Sequence, residues 1–188
     1  MKNSIFVFMA IALLAGSLAC KIGSGTPQKP VETIPVTTEA AGSLQEKVQA
    51  AEEQAGAGGE VELVLTESEI TSMVALELQK QPQQVVSDIQ IYLRDGQVQI
   101  YGAYSDGGVS LPLVIVAKPE IPEDGSFQIV LISAKIGPVA APDVLRESVQ
   151  ALLDEQIAGA LSSQSGNQVV VSSVTIADGQ ITIRSRVP

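Results

Sequence analysis

The stretch RDGQVQIYG, residues 94–102, is matched by ADGQITIRS at residues 177–185, so the chain writes D-G-Q-[V/I]-x-I twice. The repeat is either a ligand loop or a fold element, and its flanks decide between them. Before the first copy, Ile89, Ile91 and Leu93 alternate with polar residues; after it come Val98 and Ile100. A two-residue Asp95-Gly96 loop sets Leu93 opposite Val98 and Ile91 opposite Ile100, which puts all five apolar side chains on one face. Gly96 supplies the positive φ that a type I′ turn requires. The second copy behaves alike: with Asp178-Gly179 as the loop, Ile176 faces Ile181 and Val174 faces Ile183. Each turn offers a single carboxylate, too few for a metal site. The motif therefore reads as the turn of a hairpin.

The context of the hairpins also repeats. EVELVLT, residues 60–66, alternates like a strand with Val61, Leu63 and Leu65 inward. Thr66-x-x-Glu69 is a capping box that starts a helix with Ile70, Met73, Val74 and Leu78 along one stripe; Gln81-Pro82 ends it. Before the second hairpin, SFQIVLI (126–132) reads as a strand and PDVLRESVQALLDEQIAGALSSQ as a long helix. Asp143 is its N-cap, and Leu145, Val149, Leu152 and Leu153 make an apolar stripe. A strand–helix–hairpin unit thus occurs over 60–102 and again over 126–187, each helix expected against its own strands. Between the units, VSLPLVIVAK (109–118) is apolar on both sides, so both faces avoid water. Its Pro112 must sit at an edge or a bulge.

Composition sets the limits. Of 188 residues, a leader and a linker leave room for one domain. Aromatic residues make up 3% and Trp is absent, so the core is Val, Ile, Leu and Ala, a content that favours sheet. There are 21 acidic against 11 basic residues, a balance that argues against nucleic acid and against anionic head groups.

The N-terminus reads MKNSIFVFMAIALLAGSLAC: Lys2, an apolar stretch from Ile5 to Leu14, then small residues. This is the layout of a signal peptide over 1–19, and its apolar core is short for a membrane span. The sole Cys, Cys20, follows Ser17-Leu18-Ala19, which resembles the bacterial lipoprotein signal, with cleavage after Ala19 and lipid on Cys20. That family prefers Leu where Ser17 stands, so ordinary cleavage after Ala19 and an uncleaved anchor remain as alternatives. Residues 20–42 read as the lipidated N-terminus and a disordered linker, KIGSGTPQKPVETIPVTTEAAG from Lys21 to Gly42. Its span is about 25 Å as a coil and about 70 Å at full stretch. Ser43–Ala55 is a short Ala/Glu/Gln-rich helix, and the domain runs over 43–188.

Candidates for chemistry are few. No His is present, which removes the commonest general base and the commonest metal ligand. Glu67 and Glu69 fit the first turn of a helix better than an acid–base pair. Glu120, Glu123 and Asp124 match no calcium loop, and Ser162, Ser163 and Ser165 lack a base. Arg184 and Arg186 share one face of the last strand, a solvated face more readily than a lipid head-group site. No cofactor, metal or catalytic residue is expected, and the chain does not read as an enzyme.

The run from Val61 to Val187 resembles small bacterial envelope proteins with a tubular lipid-binding (TULIP-like) fold. The resemblance rests on LTESEITSMV, DGQVQIYG, SAKIGPVAAPDVL and VTIADGQITI. It implies an α+β fold in which a curved antiparallel sheet wraps a long helix, with a groove for a lipid tail. The expectation is a membrane-tethered extracytoplasmic lipoprotein of the bacterial envelope that binds or shuttles a lipid or other hydrophobic ligand. If Cys20 carries no lipid, the chain is secreted. The doubly apolar strand and the helix stripes place Met73, Leu113, Ile115, Leu152 and Ile157 along that groove. The rival expectation is a structural or interaction module of the envelope with a filled core.

Overall fold

The computed structural model describes residues 28–56, 59–82, 85–122, 127–141, 143, 146–147, 150–151, 170–177 and 179–187. The elements are α1 (Thr38–Gly56), β1 (Gly59–Thr66), α2 (Glu67–Gln79), β2 (Val86–Arg94), β3 (Gln97–Asp106), β4 (Val109–Glu120), β5 (Gln128–Ile136), β6 (Val139–Ala140), β7 (Val170–Ala177) and β8 (Gln180–Val187). The fold is α+β. Its strands form two antiparallel sheets, one ordered β1-β8-β7 and one ordered β2-β3-β4-β5-β6. Cys20, Leu152, Ile157, Glu123, Asp124 and most of the long helix expected in the second unit lie outside the described residues, as do residues 1–27.

Both hairpins take the register that the D-G-Q turns dictate. Leu93 pairs with Val98 and Ile91 with Ile100; Ile176 pairs with Ile181 and Val174 with Ile183. Asp95 and Gly96 have φ of 54° and 71°, the two left-handed positions of a type I′ turn. Register carries the apolar face of the first hairpin across the larger sheet, through Leu113, Ile115 and Ala117 of β4 to Ala134 and Ile136 of β5. Pro112 costs β4 no ladder bond. Pairing with β5 begins only at Leu113. The Pro112 carbonyl accepts from Gly137 N at 2.7 Å, so its nitrogen also faces the open end beyond β5.

Three expectations about element bounds and pairing are corrected. The first helix begins at Thr38, not Ser43, because Thr37 Oγ1 accepts Ala40 N at 3.1 Å and caps it; residues 38–42, expected as linker, are its first turns. The strand expected over 126–132 runs from Gln128 to Ile136, since Ala134 and Ile136 continue the alternation against Ile115 and Leu113. The units also exchange strands. β1 pairs along its full length with β8, the last strand of the other unit, instead of closing on its own hairpin.

The capping box forms as expected: Glu69 N donates to Thr66 Oγ1 at 3.3 Å and Thr66 N donates to the Glu69 carboxylate at 2.9 Å. The face of α2 that buries is different from the expected stripe. Ile70, Met73, Val74 and Leu78 are half-buried, whereas Glu69, Thr71, Ser72 and Ala75 are buried. The reason is position. α2 packs beside the free edge of β2 instead of across a sheet face, and an edge presents unpaired main-chain groups, which small polar side chains can satisfy at close range. Thr71 Oγ1 bonds both the N–H and the C=O of Ile91. The opposite edge is treated alike: the helical Gln150 accepts Leu131 N at 2.9 Å and donates to Ile129 O at 2.8 Å.

Candidate functional site

The two D-G-Q turns, 83 residues apart in sequence, come together in space at the first turn of α2. Glu67 joins them. Its main-chain N–H donates to Gly179 O at 3.1 Å, and its carboxylate accepts Leu93 N at 2.6 Å. The same carboxylate takes both terminal nitrogens of Arg94, with Nη2 at 3.1 Å. Arg94 in turn lies over the Tyr92 ring, 5.9 Å from its centroid. Tyr92 meets Tyr101 edge to face at 5.7 Å. Burial holds the Tyr92 hydroxyl above its ordinary pKa; Glu67 adds to the rise and Arg94 opposes it.

Over this junction runs a segment that precedes α1. Gln90 reads Ile34 as a strand neighbour would: its Oε1 accepts Ile34 N at 2.6 Å and its Nε2 donates to Ile34 O at 3.1 Å. The Tyr92 hydroxyl donates to Glu32 O at 2.6 Å, and Thr37 N donates to Ser72 Oγ at 3.1 Å. Two clefts flank the segment. One of about 660 Å³ is walled by Tyr92, Arg94, Asp95, Glu67, Gly179 and Gln180. The other, about 440 Å³, is walled by Ala75, Leu78, Val86, Asp88 and Ile89. The segment that the sequence assigned to a disordered linker is therefore part of the folded surface from Glu32 onward.

Of the carboxylates weighed as chemistry, Glu67, Glu69 and Glu120 each hold a hydrogen-bonding or ionic partner, and Glu123 and Asp124 lie outside the described residues. Burial alone would raise Glu69, yet Lys47, Ser43 and the Thr66 amide and hydroxyl all donate to it and bring its pKa to about 2. Lys47 Nζ lies 2.7 and 2.9 Å from its two oxygens and also reaches Val64 O at 3.1 Å, so one ammonium pins α1 to β1 and α2. Glu120 sits 3.4 Å from Lys118. Arg184 bonds Glu62 across the β1–β8 pair at 2.6 Å, on the solvated face. Among the described residues no group of three or more His, Cys, Asp or Glu is placed to hold a metal ion, and no helix is long and apolar enough to cross a membrane.

Of the expected groove residues, the structure describes three. Leu113 is buried and Ile115 half-buried on the apolar face of β4, beside Gly102 and Ile100 of β3. Met73 is half-buried on α2. None of the three lines either flanking cleft or the further cleft at Leu131, Arg146 and Gln150. Sequence reading missed Gln90, Tyr92 and Ser72 because their partners are main-chain groups, which leave no pattern of residue types. No protein-family model matches the chain, nor does any curated protein or solved structure.

Proposed function

We propose that the protein is a membrane-tethered extracytoplasmic lipoprotein that binds a lipid or similar acyl ligand against the apolar face of its larger sheet. One observation carries this reading. Along that face Leu93, Leu113, Ala117 and Ala134 are buried, while Ile100, Ile115 and Ile136 between and beyond them stay half-buried. Aliphatic side chains left part-covered on a continuous sheet face suit an acyl chain, which needs area and no polar partner. In this reading the sheet curves over the long helix of the second unit, Leu152 and Ile157 of that helix close the groove opposite Leu113 and Ile115, and Met73 flanks it. Cys20 carries the anchor, and the acidic surface keeps the domain off anionic head groups.

The test is native mass spectrometry of the mature chain isolated from membranes, with displacement of a fluorescent fatty acid. One non-covalent acyl ligand is expected, with uptake lost in Ile115→Glu. A chain that arrives empty and takes up no fatty acid overturns the reading. Cys20→Ala is expected to move the chain to the soluble fraction and remove the mass of the lipid; continued membrane residence excludes the anchor.

A second reading, an interaction module of the envelope, is favoured by the far end of the larger sheet. Val109 at 59% exposure and Val139 at 66% stand there with Leu111 and Val85 in an apolar tip. Gly137, beside Val139, lies against Leu111, and Val85 bonds Ser105 in the neighbouring strand. Charging the tip with Val109→Glu and Val139→Glu would then abolish recovery of a cross-linked envelope protein while leaving fatty-acid uptake unchanged.

A further inference from the structure

The segment from Pro30 to Thr37 is held in an unusual way for part of a folded surface. Its four bonds to β2 and α2 are all made by its own main chain, at Glu32 O, Ile34 N, Ile34 O and Thr37 N. Its side chains contribute little: Val31 is 102% exposed, and Glu32, Thr33, Pro35 and Val36 are exposed as well. The groups that hold it are the reverse. Gln90 and Tyr92 belong to a paired strand and Ser72 to a helix, so regular structure sets the recognition surface and the segment is the adaptable party. A side-chain amide bonded to both main-chain groups of one residue, with a phenol on the carbonyl two residues earlier, reads an extended backbone and not a sequence.

The resident segment also underfills its seat. Thr33 borders both flanking clefts, Val36 borders the smaller and Pro35 the larger. The smaller cleft has an apolar floor of Ala75, Leu78, Val86 and Ile89. Short side chains at Thr33 and Val36 leave that floor uncovered, where a longer aliphatic chain would bury it.

We propose that the Gln90–Tyr92–Ser72 surface is a docking groove for an extended peptide, occupied in cis by Pro30–Thr37. The partner it fits is an extended, proline-flanked peptide segment of another protein with larger apolar side chains where this chain has Thr33 and Val36. Asp88, Asp95 and the Glu67–Arg94 pair at the margins select a neutral or basic segment. The cis segment competes with the partner and keeps the groove shut in its absence. The inference is independent of lipid binding, since the groove lies along β2 and α2 and uses none of Leu113, Ile115 or Met73.

The test uses the full mature chain and alters the segment, not the domain. Ile34→Pro removes one donor and leaves β2 and α2 intact. Cleavage at Glu32 by a Glu-specific protease is expected to rise at least tenfold. Two nine-residue peptides serve as probes: the chain's own Lys29–Thr37 sequence, and the same peptide with Thr33→Leu. Neither is expected to bind the unaltered chain. Both are expected to bind Ile34→Pro, the Thr33→Leu peptide at least fivefold tighter. The proposal is overturned if cleavage at Glu32 is unchanged, if the peptides bind both chains equally, if neither binds a variant whose Glu32 has become cleavable, or if the two peptides bind alike.

Discussion

Thr71 Oγ1 accepts the Ile91 N–H at 3.0 Å and donates to the Ile91 carbonyl at 3.4 Å, so one buried hydroxyl satisfies both outward-facing groups of an edge-strand residue. An uncovered edge invites pairing with other chains, and covering it with a helix removes that hazard. Leu93, two residues on, is finished by an ion pair: its N–H donates to the Glu67 carboxylate at 2.6 Å and its carbonyl accepts from Arg94 Nη1 at 2.9 Å. The edge of β2 is thus closed by the first two turns of α2, through side chains that a helix would ordinarily be expected to turn toward water.

Thr71→Val keeps the shape and deletes the hydroxyl. Two buried main-chain groups lose their partner, at a cost of about 2 kcal/mol. Thr71→Ser keeps both bonds and is expected to lose only the methyl, about 1 kcal/mol. Urea unfolding should rank the variants in that order, and equal midpoints would exclude the capping role.

Glu69 makes stability depend on acid. Its folded pKa, about 2, lies below its ordinary 4.5, so the folded state holds this proton less well than the unfolded chain. The contribution is complete above pH 4.5 and is lost as pH falls through 2, an effect on the order of 3 kcal/mol. Glu69→Gln is expected to be less stable at pH 7 and to show a flatter decline between pH 4.5 and 2. A variant whose decline matches that of the parent would remove Glu69 as the source.

Two glycines should respond to alanine in opposite directions. At Gly102 a Cβ would lie 2.9 Å from both Ser87 O and Ile89 Cδ1, where β2 bulges around a left-handed Asp88. Ser87 O is main chain and cannot swing aside, so Gly102→Ala is expected to cost about 1–3 kcal/mol. At Gly42, inside α1, a Cβ meets nothing within 4 Å. Gly42→Ala is expected to raise stability by about 0.5–1 kcal/mol through helix propensity. Thermal unfolding of the pair against the parent checks both signs.

Asp95 occupies a left-handed position at φ 54°. Asp95→Asn or Asp95→Gly is expected to leave stability within about 0.5 kcal/mol, because both residues suit a type I′ turn. Asp95→Val forces a β-branched residue into that region and is expected to cost about 1–2 kcal/mol. Hydrogen exchange across Leu93–Val98 would show whether the loss begins at the turn.

The hairpins were legible because turn chemistry and two-residue alternation constrain the same register independently, as at Leu93–Val98 and Ile176–Ile181. The Thr66–Glu69 box was legible because both partners lie within one turn. The pairing of β1 with β8 was not, since Glu62 and Arg184 meet across 122 residues and several aliphatic strands would satisfy the same pattern. The buried face of α2 was misread because periodicity reports where apolar residues fall, whereas the β2 edge is met by the Thr71 hydroxyl and Ser72 holds Thr37 of the docked segment. The docked segment was read as linker because its attachments belong to Gln90 and Tyr92, and its own sequence only had to stay extended. The two turns were recognised as fold elements, but nothing local announced that Glu67 would bring them together.

The exchange of strands sets a timetable. β8, the last of the described strands, is the middle strand of its sheet, and both β1 and β7 depend on it for their ladders. A chain emerging N-terminus first therefore holds β1 ready for more than a hundred residues before its neighbour exists. The smaller sheet closes only on delivery of the C-terminal segment, and such late, distant pairing is slow to form. The larger sheet needs nothing from β8, so the two sheets mature at different times from one chain.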